Sequence, residues 1–291
     1  MSSKLTALTE SIVFSDSDQF YGVIDPGGAP LSRRIQSLTF QRYFPMPMNG
    51  ITGLTLSNNG ADANNDIDIS AGRACAGTGD YNLILTAART KQLDAVWVVG
   101  TNQGGLDTGT KTISTWYHVW LIARVDTHVV DVLFSASATA PTMPANYTKK
   151  RRIGAIRTNS SGNIIAFIQR GDYFLWSTPP ALDIDTVTLT TSRVDYTITV
   201  PSGIVVEAVM NFLAYAAATR SIYFSNTDLD DVAPSAVASP LAQMYTISSN
   251  AQSANLLLFT NTSAKISARS NGTSTVLKGA TLGWIDPRGK W

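Results

Sequence analysis

The sequence predicts an all-β protein: a short N-terminal hairpin followed by two β-sandwich-like domains. Three observations lead there. Short runs of β-branched and aromatic residues recur between clusters of Gly, Pro, Asn and Asp. The run Trp116-Tyr117-His118-Val119-Trp120-Leu121-Ile122 is apolar on both of its alternating faces, as a central strand covered on both sides requires. The same strand-and-turn pattern restarts after Pro179-Pro180, a stiff pair that marks a boundary.

Residues 1–45 read as a module of their own. Gln19 to Ile24 forms a strand, Asp25-Pro26-Gly27-Gly28-Ala29-Pro30 turns, and Leu31 to Ile35 returns. A lone two-stranded hairpin is marginal in water, so this one calls for a partner chain, another copy of itself or a larger assembly.

Residues 46–179 form the expected central domain. Ile51 to Leu56, Asp66 to Ile69 and Tyr81 to Thr86 are strands separated by Ser57-Asn58-Asn59-Gly60 and by Gly72 and Gly77. Asp94 to Val99 is expected to end at Gly100, where Asn102, Gly104, Gly105 and Gly109 supply a loop. Val129 to Phe134, the Pro-containing loop 135–147, and Ile153 to Arg157 follow, and Ile164 to Gln169 with Tyr173 to Trp176 finish the domain.

Residues 180–291 form the second expected domain. Val187 to Thr190 and Tyr196 to Val200 alternate, and Pro201-Ser202-Gly203 turns. The apolar stretch 204–215 reads as strand because Val205, Val206 and Val209 are β-branched. Strands at 221–225, 243–247, 255–260, 265–269 and 281–285 complete the set.

A formal charge of +1, with only 15% of residues charged, offers no field for nucleic acid or an acidic partner. The run Lys149-Lys150-Arg151-Arg152 stands alone and reads as a solvated strand end, or as a partner for acids of a neighbouring subunit. No apolar stretch reaches the roughly 18 residues of a membrane span, and Met1 to Glu10 lacks the apolar run of a signal peptide. A soluble chain made in the cytoplasm is expected. Cys75 is the single cysteine and reads as a small buried hydrophobe.

Catalytic signatures are missing from the sequence: no nucleophile elbow, His-Glu-x-x-His or Walker loop is present. His118 and His128 are the two histidines, and His118, between two tryptophans, reads as a structural residue with a satisfied ring. Glu10 and Glu207 are the only glutamates, while Asp172, Asp183 and Asp185 are available as a carboxylate pair that the sequence does not place. No enzyme activity, cofactor or metal is expected. Asp62, Asn64, Asp66 and Asp68 alternate as in a calcium loop, yet Ile67 and Arg73 stand where such a loop needs Gly and Glu, so a polar turn into a strand is the expectation. Asp228, Asp230 and Asp231 form a second acidic loop, either solvated or open to a cation or a sugar.

Several stretches resemble tail-fibre and receptor-binding proteins of tailed bacteriophages and prophages. They are Leu93 to Gly109, the Trp-Tyr-His-Val-Trp strand, and Phe134-Ser135 through Pro141-Thr142-Met143-Pro144 to Gly154. Lys4 to Leu8, with Asp25 to Gly28 and Leu31 to Arg34, looks like the module that opens such fibres. Val200 to Gly203, Ala233-Pro234-Ser235 and Thr281 to Trp284 are similar to their distal β-domains.

The resemblance implies a homotrimer in the virion, assembled in the host cytoplasm. It implies an amino end held by tail or baseplate proteins, with Phe20, Tyr21, Arg33 and Arg34 as attachment residues, and a carboxyl end that meets a host glycan or protein receptor. A capsid or collar fibre and, behind it, a polysaccharide-degrading tailspike are the alternatives. For a glycan, Trp176, Trp284 and Trp291 are the candidate stacking platforms because they sit near element ends, with core or interface packing as the other reading of each, and Asp228, Asp230 and Asp231 are the candidate polar ligands; Trp97, Trp116 and Trp120 are expected in the core.

Overall fold

A computed structural model describes residues 19–24, 31–36, 41–42, 46–178, 182–238 and 241–290. The fold is all-β, with twenty-two strands among the described residues.

The chain opens with β1 (Gln19–Ile24) and β2 (Leu31–Gln36), an antiparallel pair in register from Gln19↔Gln36 to Ile24↔Leu31. They form a two-stranded sheet that no other described strand joins. Past Gln41 and Arg42, the buried Asn82 ties down the connector. Its side chain donates to the Gln41 carbonyl and accepts from the Met46 amide.

Eleven strands follow in the order β3 (Ile51–Gly53), β4 (Leu56–Asn58), β5 (Asp66–Ile69), β6 (Gly72–Cys75), β7 (Asn82–Leu85), β8 (Arg89–Val96), β9 (Gln103–Leu106), β10 (Trp116–Arg124), β11 (Val130–Ser135), β12 (Tyr147–Arg157) and β13 (Phe167–Arg170). The remainder are β14 (Tyr173–Trp176), β15 (Ile184–Leu189), β16 (Val194–Thr197), β17 (Glu207–Tyr215), β18 (Arg220–Asn226), β19 (Ala242–Thr246), β20 (Gln252–Phe259), β21 (Lys265–Ser270) and β22 (Thr275–Ile285).

The first half is a sandwich of a seven-stranded sheet, ordered β12-β10-β11-β9-β8-β5-β4, against the three-stranded sheet β3-β6-β7. The expectation for β10 holds: Tyr117 to Ala123 is buried without interruption, because both faces of that strand are covered. Two boundaries differ. The strand expected from Asp94 to Val99 is β8, which ends at Val96 and leaves Val98 and Val99 exposed. Gly104 and Gly105, expected in a loop, belong to β9, which runs parallel to both β8 and β11. A Cβ on Gly104 would fall 2.0 Å from the Val96 carbonyl oxygen, so no other residue fits this approach.

The second half packs a six-stranded sheet, β13-β14-β22-β17-β20 with β15 also on β22, against the four-stranded sheet β16-β21-β18-β19. Phe212 of β17 stacks on Phe224 of β18 at 4.2 Å across this core. The long apolar segment is strand as expected, and β17 alternates buried and open positions along its length.

The two halves are not separated at residues 179–180 as expected. Phe167–Arg170 and Tyr173–Trp176, assigned by pattern to the central domain, pair with each other and then with β22, in register Phe174↔Trp284. One hydrophobic cluster runs from Leu54 to Trp284 through both sandwiches. Pro179 and Pro180 lie outside the described residues.

Candidate functional site

Trp284 is fully buried, not a platform for a sugar. It is the penultimate residue of β22 and faces inward, stacked on Phe174 at 5.2 Å, with Trp176 at 5.0 Å and Trp116 at 5.3 Å. Trp176 is buried in the same cluster, so neither tryptophan is available to a ligand. The correction follows from strand length: β22 and β14 carry these residues into the core, where pattern had placed them at exposed ends. Trp291 lies outside the described residues. Trp120 is buried as expected, whereas Trp97 and Trp116 are partly buried at the margins of the core.

The loop of Asp228, Asp230 and Asp231 is tethered by arginines. Arg193 donates to the Leu229 carbonyl at 2.6 Å and to that of Thr227, and Arg269 pairs with Asp231 at 2.7 Å. Asp231 already has its cation, and the three carboxylates do not converge with a tryptophan. The calcium-like stretch is a turn into β5. Asp62 accepts from the Asn64 and Asn65 amides and from the Asn65 side chain, and Asp68 accepts from Asn59 and Thr90. Burial first, then the charges of Asp62, Asp94 and Asp68, raises Asp66 to about 6. Among the described residues no group of three or more His, Cys, Asp or Glu is placed to share a metal, and no helix is long and apolar enough to cross a membrane. On the hairpin, Tyr21 stands opposite Arg34, and Phe20 and Arg33 occupy neighbouring positions in the ladder.

The basic run is the site that sequence reasoning misread. Its inner half is buried, with Arg151 and Arg152 each 3% exposed. Arg152 forms a two-pronged ion pair with Asp286, Nη1 to Oδ2 at 3.0 Å and Nη2 to Oδ1. Arg288 closes a clip: its amide donates to Asp286 at 2.7 Å, its Nε to the Ile153 carbonyl at 2.8 Å and its Nη2 to the Leu54 carbonyl at 2.6 Å. Three segments far apart in the chain are thereby joined. Burial alone would raise the Asp286 carboxyl. The Arg152 charge, its hydrogen bonds and the Arg288 amide outweigh that and hold it below the usual carboxylate range. A second buried pair, Lys91 with Asp131 at 3.3 Å, supports the β8–β9 corner, where Asp131 also accepts from the Gly100 amide at 2.9 Å. Neither pair has a local sequence signal, since the partners lie on different strands.

His118 lies beside this cluster and is structural, but its ring is only half satisfied. One ring N–H donates to the Ser202 backbone carbonyl, while Nδ1 has no partner. Burial, then the Arg152 charge, lowers its pKa to about 4. The unfolded chain takes up a proton near pH 6.5 that the native state refuses until about pH 4. The His118 contribution to stability is therefore expected to fall progressively as the pH drops through that interval, by about 3 kcal/mol in all, while Asp66, whose folded pKa is raised to about 6, works in the opposite direction over much of the same range. Thermal midpoints measured between pH 7 and 4 check this: relative to His118→Gln, in which the Asp66 contribution is retained, the wild type should lose stability as the pH falls.

An open surface stands out on the outer face of the six-stranded sheet. Cross-strand partners share a face, so the rows Tyr173↔Ile285↔Glu207↔Phe259 and Ile168↔Leu175↔Gly283↔Val209↔Leu257 place their side chains together. Ile168, Tyr173, Leu213, Tyr215, Leu257 and Phe259 expose between 38% and 53% of their surface. The face ends at β20, whose outer edge pairs with no described strand. The sequence showed these residues as apolar, but an outward apolar face and an inward one have the same period.

No family model matches the chain, and no curated protein matches it. Among solved structures it is similar to a chain in the structure of infectious bursal disease virus Gx strain, at 11% identity, over 84% of this chain and 76% of that chain, with a TM-score of 0.21. A chain in the crystal structure of the T13 IBDV viral particle is 12% identical over 80% of this chain and 66% of that one, with a TM-score of 0.13. Overlaps this low carry no argument about function, and the all-β fold stands on the sheets described above.

Proposed function

We propose that this chain is a virion structural protein without catalytic activity, a homotrimeric tail fibre or receptor-binding protein of a tailed bacteriophage or prophage. The hairpin module holds the tail and the C-terminal half meets the host receptor. The observation that carries the reading is the apolar outer face of the six-stranded sheet. Large aromatic side chains present roughly 150–250 Å² each, so six half-exposed aromatic and aliphatic groups leave on the order of 500–600 Å² of apolar area. A stable interface buries about 800 Å² per partner, a little over half of it apolar, which this face supplies. A hairpin and an edge strand that pair with no other described strand, the latter beside an apolar face, both favour assembly. The phrase-like resemblance to fibre proteins supplies the setting.

Light scattering on the purified chain is expected to give three times the 31.2 kDa chain mass. Leu257→Asp with Phe259→Asp should yield a folded monomer, because both side chains point away from the core. A wild-type monomer rejects the assembly. Imaging of particles labelled on this chain tests the virion setting, and label on the capsid or collar in place of the tail would redirect it.

A further inference from the structure

A cleft of about 550 Å³ opens where four parts of the chain meet: the Trp120 strand, residues 150–152 of β12, the loop at Ala138 and Thr139, and the turn at Gly203. Pro287 and Gly289, beyond the Asp286 clip, form part of its wall. Its volume suits a small molecule. Most of the lining is apolar, from Trp120, Ile204, Val205 and Pro287, and its charged residues are all cations.

Those cations are unequally matched. Arg152 is neutralised by Asp286. Lys150 lies 5.3 Å from the centre of the Trp120 ring and 3.3 Å from the Thr139 carbonyl, with no carboxylate partner among the described residues. Arg151 is 3% exposed, yet it meets only neutral acceptors, the Arg288 carbonyl at 2.9 Å and the Met48 carbonyl at 2.8 Å. Its Nη2 has no partner among the described residues, but that atom is sealed from solvent, and Arg151, opposite Leu121, leaves the other face of β12 from Lys150, opposite Ile122. Lys150 is therefore the open cation of the cleft. An ammonium with no carboxylate beside it binds carboxylate and phosphate oxygens as a point charge.

We propose that this cleft binds a small anionic ligand, one carboxylate or phosphate carried on a ring, with the acid group at Lys150 and the ring against the apolar wall at Trp120. The site is independent of the oligomer and of the virion setting, and its ligand completes the charge balance that the protein leaves open.

The test titrates the full chain with glucuronic acid, glucose 6-phosphate and glucose, read by saturation-transfer NMR and by tryptophan fluorescence. At least one acid is expected to bind ten or more times more tightly than glucose. Preference for glucuronic acid identifies a carboxylate source, and preference for glucose 6-phosphate a phosphorylated one. Lys150→Gln should weaken binding at least fivefold with an unchanged melting point. Ala138→Leu, which narrows the cleft without altering charge, should weaken it as well. Binding of neither acid, equal binding of glucose, or full affinity in both variants overturns the assignment. The chain mass is read separately, so failure here leaves the trimer standing and failure of the trimer leaves this site standing.

Discussion

Asp286→Ala is expected to cost about 3–5 kcal/mol, because it strands the buried Arg152 guanidinium with no other carboxylate partner among the described residues. For a chain of this size that corresponds to a fall in Tm of roughly 6–20 °C. The loss exceeds what the ion pair is worth, since the Arg288 amide also loses its acceptor and the clip across Leu54 and Ile153 loosens. Replacing both Arg152 and Asp286 with leucine should recover much of the deficit, as apolar replacement of a whole buried pair commonly does. Acid titration separates this carboxyl from His118. Its folded pKa is depressed, so its contribution is intact above the ordinary carboxylate value of about 3.9 and is lost as the pH falls through the lower folded value. The His118 limb is finished by about pH 4. Urea unfolding of Asp286→Asn across pH 2 to 7 should show a shallower lower limb than wild type, the remainder coming from Asp62, Asp80 and Asp126, and an unchanged dependence above about pH 4. A Tm within 2 °C of wild type for Asp286→Ala would show that the clip is peripheral to stability.

The strands were largely legible because period-2 alternation is a local signal; β17 and β22 carry it over 9 and 11 residues. What was not legible depends on partners distant in sequence. Arg151 and Arg152 looked solvated since nothing near residue 150 balances them, and the balancing carboxylate lies 134 residues away. Residues 167–176 carry no mark that their pairing partner is β22, so a stiff proline pair after them looked like a domain boundary. The candidate site suffered most. Glycan stacking was assigned by distance from an element end, and underestimating β22, which begins at Thr275 where the pattern suggested Thr281, turned an inward Trp284 outward. The acidic loop, read as solvated or open to a cation or a sugar, is tethered by arginines from β21 and from the turn before β16: Arg269 pairs with Asp231, and Arg193 holds the Leu229 and Thr227 carbonyls.

Trp284→Ala puts the corrected reading at risk. Three aromatic rings lie within 5.3 Å of the indole, and Trp116 among them comes from the seven-stranded sheet while Phe174 and Trp176 come from the six-stranded one. The residue therefore packs at the junction of the two sandwiches. Removing it should cost about 3–5 kcal/mol through lost burial and an unfilled cavity, read as a lower urea midpoint. Trp284→Phe should cost far less, because the indole N–H has no acceptor to lose and a ring still fills the stack. A surface sugar platform predicts the opposite pattern: unchanged stability in both variants, with binding lost only in the alanine one. Equal midpoints for wild type and Trp284→Ala would thus return Trp284 to the surface and break the single core that joins the two halves.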